Sequence, residues 1–300
     1  MRLQDLVNSS WGVRLGLFLG QRLPARLGYT LAYALMGQLA SRRKLPIVQA
    51  VRLNQSVVRG LALSSAELDE AVTAVFRHAA HCFVDLYHNI ASRPAIDSFF
   101  PETPGIRQFI ERSHGKQGGT FVAILHMSNF DLAVLSLADR GLQAQILTFS
   151  QPPGSYQVQN RLRSRDGLEI TPISNQALHR AIQRLKSGGM VITAIDRPLE
   201  DGGQPLTFFG HLASLPTGHI RMALKADVPI ILAVPTLQKD GKYAIFFSDP
   251  IWMRHDPDPG QEIRMNARLV LEIAEGLIRQ YPEQWLMYYP VWPDQLQATP

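Results

Sequence analysis

The sequence predicts an α/β fold: a central, mostly parallel sheet flanked by helices, preceded by an N-terminal, membrane-associating helical segment. Three observations predict it. From about residue 105 onward, short apolar runs alternate with stretches of helical periodicity, the pattern of strands joined by crossover helices. Before that point apolar residues recur at three- and four-residue intervals, as on helices. Charge is also uneven. Residues 1–60 hold nine Lys or Arg against the single acid Asp5, so this end carries +8 and the rest of a chain of net charge +5 sums to −3.

The basic end comes first. Its cations are interleaved with Leu15-Gly16-Leu17-Phe18-Leu19 and Leu31-Ala32-Tyr33-Ala34-Leu35-Met36. Apolar bulk beside spaced cations suits a helix lying among lipid headgroups rather than a nucleic-acid contact. Each cation near an anionic leaflet contributes about 1 kcal/mol. A membrane-crossing helix needs about 20 apolar residues. The longest charge-free run here, Leu27 to Ser41, is shorter and contains Gln38. The segment is therefore expected to lie on a membrane, the plainer alternative being two amphipathic helices packed on the domain. Arg14 and Arg22 flank an apolar stretch that lacks a small-residue cleavage site, which argues against a signal peptide. The one cysteine, Cys82, excludes an internal disulfide framework and a Cys-rich zinc site.

The remaining elements follow in order. Leu45 to Leu61 and Ser65 to Ala91 read as helices, the second with Glu67 and Asp69 beside its positive end. Phe121 to Leu125 reads as a buried strand entered from Gly118-Gly119, and a helix from about Phe130 to Arg140 ends at Gly141. Strands are expected at Gln145–Phe149, Leu168–Pro172, Met190–Ile195 and Pro229–Val234. Between them fall a helix capped by Ser174 and running to Lys186, and another over Gly218–Ala226. A last helix spans Gln261 to Gln280. Residues 1–100 thus form a helical, membrane-docking part and 101–300 one continuous α/β core, with no repeat or linker.

In such sheets ligands bind beyond the carboxyl ends of the strands. Leu125-His126-Met127-Ser128-Asn129-Phe130-Asp131 occupies that place. His126 suits a general base near neutral pH. Asp131, in the first turn of the next helix, is expected to reach back and fix the tautomer of the imidazole. A strand-ending histidine and a helix-capping aspartate explain the same spacing. A competing cluster, His78, His81, Cys82, Asp85 and His88, shares one helix. However, a single helix supplies only two or three metal ligands, and core residues alternate with these, so packing is the preferred reading. There is no Gly-x-Ser-x-Gly elbow, Gly-rich phosphate loop or Walker lysine, which removes serine hydrolases and the common nucleotide enzymes.

The segment His126 to Asp131 resembles the H-x4-D/E motif of glycerolipid acyltransferases. Its form, His-x-x-Asn-aromatic-Asp, is similar to that of the bacterial lipid A biosynthesis acyltransferase family, which includes the mycobacterial phosphatidylinositol mannoside acyltransferases. Four further segments match in order. They are Val51-Arg52-Leu53-Asn54; Arg163 ahead of Gly167; Ala194-Ile195-Asp196-Arg197 with Phe208-Phe209-Gly210; and Tyr281-Pro282-Glu283-Gln284-Trp285. The resemblance spans about residues 45 to 293.

It implies an acyltransferase that moves a fatty acyl group from a thioester to a hydroxyl of a membrane lipid or glycolipid. His126 is then the general base, Asp131 its partner, and Asp196 the second acidic position that shapes the site or orients the histidine. Glu200 and Asp201 compete for that last role, because the loop to Phe208 is long. Arg163, Asn129 and Arg197 are expected at substrate: Arg163 on a phosphate or the oxyanion, Asn129 as oxyanion donor or merely a helix cap. A solvated basic face is the alternative for Arg163, given Arg161 and Arg165. Leu215-Pro216-Thr217-Gly218 resembles the family's block before a helix, where backbone N–H groups face an anion or simply start the helix. No metal or cofactor is implied. The donor is acyl-CoA or acyl carrier protein, the acceptor a lipid or glycolipid, and nucleic acid is not a partner. The expected location is peripheral, on the cytoplasmic face of the bacterial inner membrane. Two readings compete: an inactive lipid-surface binding protein of the same fold, and a metal-dependent hydrolase that a chelator would stop.

Overall fold

Helices α1 (Ser10–Arg22), α2 (Ala25–Ala40), α3 (Pro46–Val58) and α4 (Ser65–Asn89) open the computed structural model, which describes residues 10–60, 63–115, 117–150, 158, 160–199 and 203–298. Pro46 at the start of α3 presets the backbone for a helix. Ser64 and Glu67 form a reciprocal capping box at the start of α4, satisfying two otherwise orphaned N–H groups. Helix α4 is the pillar against which α1, α2 and α3 all pack. Small residues set the closeness: a Cβ on Gly20 of α1 would lie 2.7 Å from the Tyr87 Cβ. Among the described residues no helix is long and apolar enough to cross a membrane. Two short helices not delimited from sequence, α5 (Arg93–Phe99) and α6 (Pro104–Ser113), lead to the sheet.

The six-stranded sheet runs β3-β2-β4-β1-β7-β8. Its strands are β1 (Thr120–Ile124), β2 (Ala144–Thr148), β3 (Leu168–Pro172), β4 (Met190–Ala194), β7 (Ile230–Leu237) and β8 (Tyr243–Phe247). Neighbours are parallel except β8, an antiparallel edge strand that the sequence reading did not anticipate. Helices α7 (Phe130–Asp139) and α8 (Asn175–Lys186) follow β1 and β3; α9 (Gly218–Ala226) precedes β7 and α10 (Pro259–Gln280) follows β8. Phe121, Ala123 and Leu125 join the cluster formed with α8, α9 and α10, while Val122 points to the opposite cluster with α6 and α7. Side chains alternate across a strand, so a strand buried on both faces must be apolar at every position.

The Phe208-Phe209-Gly210 segment ends a strand and turns a hairpin. It joins β5 (Gln204–Phe208) to β6 (His211–Leu215), with φ of 52° at Phe209 and 78° at Gly210. Positive φ at both positions is what a two-residue type I′ hairpin turn requires. The Phe209 N–H donates to the Glu275 carboxylate at 2.7 Å, which anchors the strained residue.

The chain end forms a strap tied to α3 and the sheet. Asn54 Nδ2 donates to the carbonyls of Met287 (3.0 Å) and Tyr289 (2.8 Å), and its Oδ1 accepts from the Val291 N–H at 3.0 Å. Gln55 holds the Pro282 carbonyl, and Gln284 exchanges bonds with the backbone of Leu237. Trp285 and Trp292 are buried against Phe208.

Two predictions follow from these buried polar groups. Asn54→Ala frees two carbonyls and one N–H of the strap, so chemical denaturation should find it less stable by about 2–4 kcal/mol. A change within about 0.5 kcal/mol would mean that Asn54 does not hold the strap. His219 is 2% exposed, neither ring nitrogen has a hydrogen-bond partner, and burial lowers its pKa from 6.5 to about 3. Between those values the unfolded chain binds a proton that the folded one refuses. Its contribution is therefore full above the unfolded pKa and is lost on acidification. His219→Leu should flatten stability against pH between about pH 6 and 4 by about 1.4 kcal/mol per unit, read from denaturation midpoints. An unchanged slope would contradict the assignment.

Candidate active site

Parallel pairing of β1 with β4 sets Ile124 opposite Ala194. Two residues beyond each partner come His126 and Asp196, brought side by side by this register. Asp196 Oδ1 lies 2.7 Å from His126 Nδ1, and Oδ2 accepts the His126 backbone N–H at 2.9 Å. The Trp285 indole N–H completes the set at 2.8 Å. Asp196 is fully buried, whereas the His126 side chain keeps 26% of its surface exposed. A buried, unpartnered carboxylate would cost several kcal/mol. Hydrogen bonds to a charged group each return about 1.5–3 kcal/mol. Burial alone would raise the Asp196 pKa, but the facing imidazole and the N–H donors outweigh it and hold the carboxyl below its usual range. An ionised Asp196 accepts, so in the neutral form of the His126 ring the proton sits on Nδ1 and the lone pair on Nε2.

The turn after His126 is clamped. Ser128 has φ of 47°, a left-handed conformation uncommon for serine. Its N–H donates to the Gln284 carbonyl at 2.7 Å, while the Leu286 N–H donates to the His126 carbonyl at 2.7 Å. The strap therefore brackets the turn on both sides of Trp285. Ser128 Oγ also lies 3.1 Å from His78 Nε2.

Asp131 is not the partner of His126. Emerging on the first turn of α7, it meets Arg163 Nε at 2.5 Å instead. Phe130 separates the two pairs: His126 stands edge-on to its ring, and the Arg163 guanidinium lies over it, 5.8 Å from the centroid. The reason is topological, because β4 delivers a carboxylate in register with His126 while the start of α7 turns Asp131 away.

Asn129 is corrected likewise. It is 3% exposed, its Nδ2 donates to the Cys82 carbonyl at 2.9 Å, and its Oδ1 caps α7 at the Leu132 N–H. It is a helix cap rather than a group facing substrate. Arg165 sits against Asp139 and the Ile90 carbonyl, so this is not simply a solvated basic face. Arg197 is sandwiched between Phe149 and Tyr289, 4.9 and 3.9 Å from the ring centroids, beyond the carboxyl end of β4. Glu200 and Asp201 lie outside the described residues. Thr217 opens α9 without a side-chain cap.

The side chains of the histidine-rich helix are already engaged, His78 Nε2 also lying 3.4 Å from Cys82 Sγ. His78 meets Ser128, His81 meets Asp85, and His88 meets the Gly20 carbonyl. Among the described residues no group of three His, Cys, Asp or Glu is placed to hold a metal ion. The sequence reading missed Trp285 as a donor to Asp196; only its place in the Tyr281–Trp285 segment marked it.

An α/β sheet with a histidine–aspartate pair beyond the carboxyl ends of adjacent parallel strands defines the class of protein. The chain belongs to the bacterial lipid A biosynthesis acyltransferase family, whose model matches residues 11–293. Comparison with curated proteins gives no match.

Nitrogen NMR of histidine-labelled protein should find the neutral His126 ring protonated on Nδ1, and Asp196→Ala should abolish that preference. A neutral ring protonated on Nε2 would contradict the geometry.

Proposed function

We propose that this protein is an acyltransferase that moves a fatty acyl group from a thioester to a hydroxyl of a membrane lipid or glycolipid. The observation that carries the reading is the 2.7 Å contact of His126 Nδ1 with buried Asp196, in a chain of a lipid acyltransferase family. With Nδ1 held, Nε2 takes the proton of the acceptor hydroxyl as its oxygen attacks the thioester carbonyl. The tetrahedral intermediate collapses, the carbon–sulfur bond breaks, and the leaving thiolate takes the proton back from the imidazolium. The products are an ester and a free thiol. No acyl-enzyme, metal or other cofactor is required.

Asp196 acts through His126 and is a positioning carboxylate. The Asp131–Arg163 pair, one phenyl ring away, supports a second role: it walls the site and presents a cation toward an anionic part of donor or acceptor. Arg197 is offered as a further substrate contact. Donors of the implied kind, acyl-CoA or acyl carrier protein, are anionic and suit these arginines.

The hairpin of α1 and α2 supports a peripheral position on the cytoplasmic face of the inner membrane. On α2 the exposed residues include Leu27, Leu31 and Leu35, spaced every four residues on one outward stripe, with Leu35 66% exposed. On α1 they include Leu15, Phe18 and Leu19. Arg14, Arg22 and Arg26 flank these apolar stripes and are exposed too. A helix that turns leucines outward beside arginines fits a lipid surface better than water.

Thiol release from palmitoyl-CoA with a lysolipid or glycolipid acceptor tests the reading. His126→Ala should reduce release to background. Asp196→Asn should lower the rate on the order of 10³–10⁴-fold, as expected when the base loses its orienting carboxylate. Wild-type release no greater than that of His126→Ala, across acceptors and with acyl carrier protein as well as CoA, would favour the inactive binding protein.

A further inference from the structure

We propose that Asp85 is a positioning residue that ties the seating of the α1–α2 hairpin on a lipid surface to the geometry of the His126 turn. The inference rests on the acyltransferase reading and adds a dependence on the surface itself. It starts from a buried carboxylate that the chemistry does not use. Asp85 lies on α4 and has no exposed surface. One of its oxygens accepts the Tyr29 hydroxyl from α2, the other the Tyr243 hydroxyl from β8. His81 Nε2 stands 3.4 Å away.

Each side of this carboxylate leads somewhere. Toward the hairpin, Tyr29 stacks on His81 with ring centroids 5.0 Å apart, and the Tyr33 hydroxyl bonds His81 Nδ1 at 2.8 Å. Tyr29 and Tyr33 are the inward residues of the helix whose outward stripe is Leu27, Leu31 and Leu35. Toward the site, the Tyr243 hydroxyl lies 3.5 Å from Asn129 Nδ2, and Asn129 caps α7 just after the strained Ser128. One helical turn before Cys82, His78 holds the Ser128 hydroxyl. A single helix therefore separates the lipid-facing leucines from the turn that carries the general base.

A buried carboxylate without its donors is costly, so its position depends on their staying in place. The bonds from α2 exist only when the hairpin is seated, so seating and turn geometry share a free energy. A lipid surface that buries the leucine stripe favours the seated state and, through Asp85, the ordered turn. A surface can shift this equilibrium only by binding the two states differently. The amphipathic hairpin supplies that difference.

The test separates the surface from the acceptor. Octyl glucoside below its critical micelle concentration serves as a soluble hydroxyl acceptor and palmitoyl-CoA as donor. Mixed phosphatidylcholine–phosphatidic acid vesicles, which offer no alcohol, serve only as the surface. With the full-length protein, vesicles should raise kcat for thiol release about five- to tenfold, leaving KM for octyl glucoside unchanged. Tyr29→Phe combined with Tyr33→Phe should bind vesicles as the wild type does in sedimentation, yet lose most of this stimulation. Asp85→Asn, which keeps one acceptor oxygen, should retain an intermediate part. Leu31→Asp leaves the network intact; it should need more vesicles for the same maximum. If the tyrosine pair does not fold, Tyr33→Phe alone carries the comparison, with a smaller loss expected. Full stimulation in vesicle-bound tyrosine variants would overturn the proposal, as would an active wild type indifferent to vesicles. A wild type no better than His126→Ala under every condition would sink the acyltransferase reading itself.

Discussion

The structure depends on one pairing, the parallel register of β1 with β4. It places Asp196 beside His126 across seventy positions of chain, and the other elements around the site act to keep that carboxylate charged and still. Burying Asp196 is unfavourable by itself, so the fold surrounds it with N–H donors from three directions: the backbone of His126, its ring, and the Trp285 indole. The last comes from the strap, which Asn54 and Gln55 hold from the N-terminal helices. Helices, sheet and chain end thus converge on one oxygen pair. This explains why the Val51–Asn54 and Tyr281–Trp285 segments accompany the histidine motif although neither carries the histidine or its carboxylate.

The site has two polar pairs on either side of Phe130, and their chemistry differs. His126 and Asp196 leave a basic nitrogen at a partly exposed ring. Asp131 and Arg163 largely cancel each other's charge beside it, at 19% and 15% side-chain exposure. A second anionic group next to the imidazole would compete with Asp196 for it. Engaging Asp131 with Arg163 removes that competition. On α2, Tyr29 and Tyr33 face the protein while Leu27, Leu31 and Leu35 face out.

Much of the sheet was legible because both its faces are buried. Phe121 to Leu125 is apolar throughout and Met190 to Ile195 is broken only by Thr193, and the helices between carry readable caps at Ser174 and breaks at Gly141 and Gly188. The helix over Gly218–Ala226 and the strand over Leu168–Pro172 fall where the pattern put them. The edge strand β8 was missed although Tyr243–Phe247 is an apolar run as long as β1 to β4. The histidine was legible from its place at a strand end; that Asp196 orients it came only from the family resemblance, as one of two roles, while the spacing pointed to Asp131. Asp131 was the natural choice at a separation of five, since spacing along a chain is visible and sheet register is not. Asn129 read as a candidate donor because its commitment to the Cys82 carbonyl depends on how α4 crosses the turn.

A double-mutant cycle on thiol release tests the central claim most directly. His126→Ala is combined with Asp196→Asn in one cycle and with Asp131→Asn in the other. If Asp196 acts only through the imidazole, its loss should matter little once His126 is gone, giving a coupling of several kcal/mol. Coupling with Asp131 should be clearly smaller. Strong coupling to Asp131 with additive behaviour at Asp196 would contradict the account.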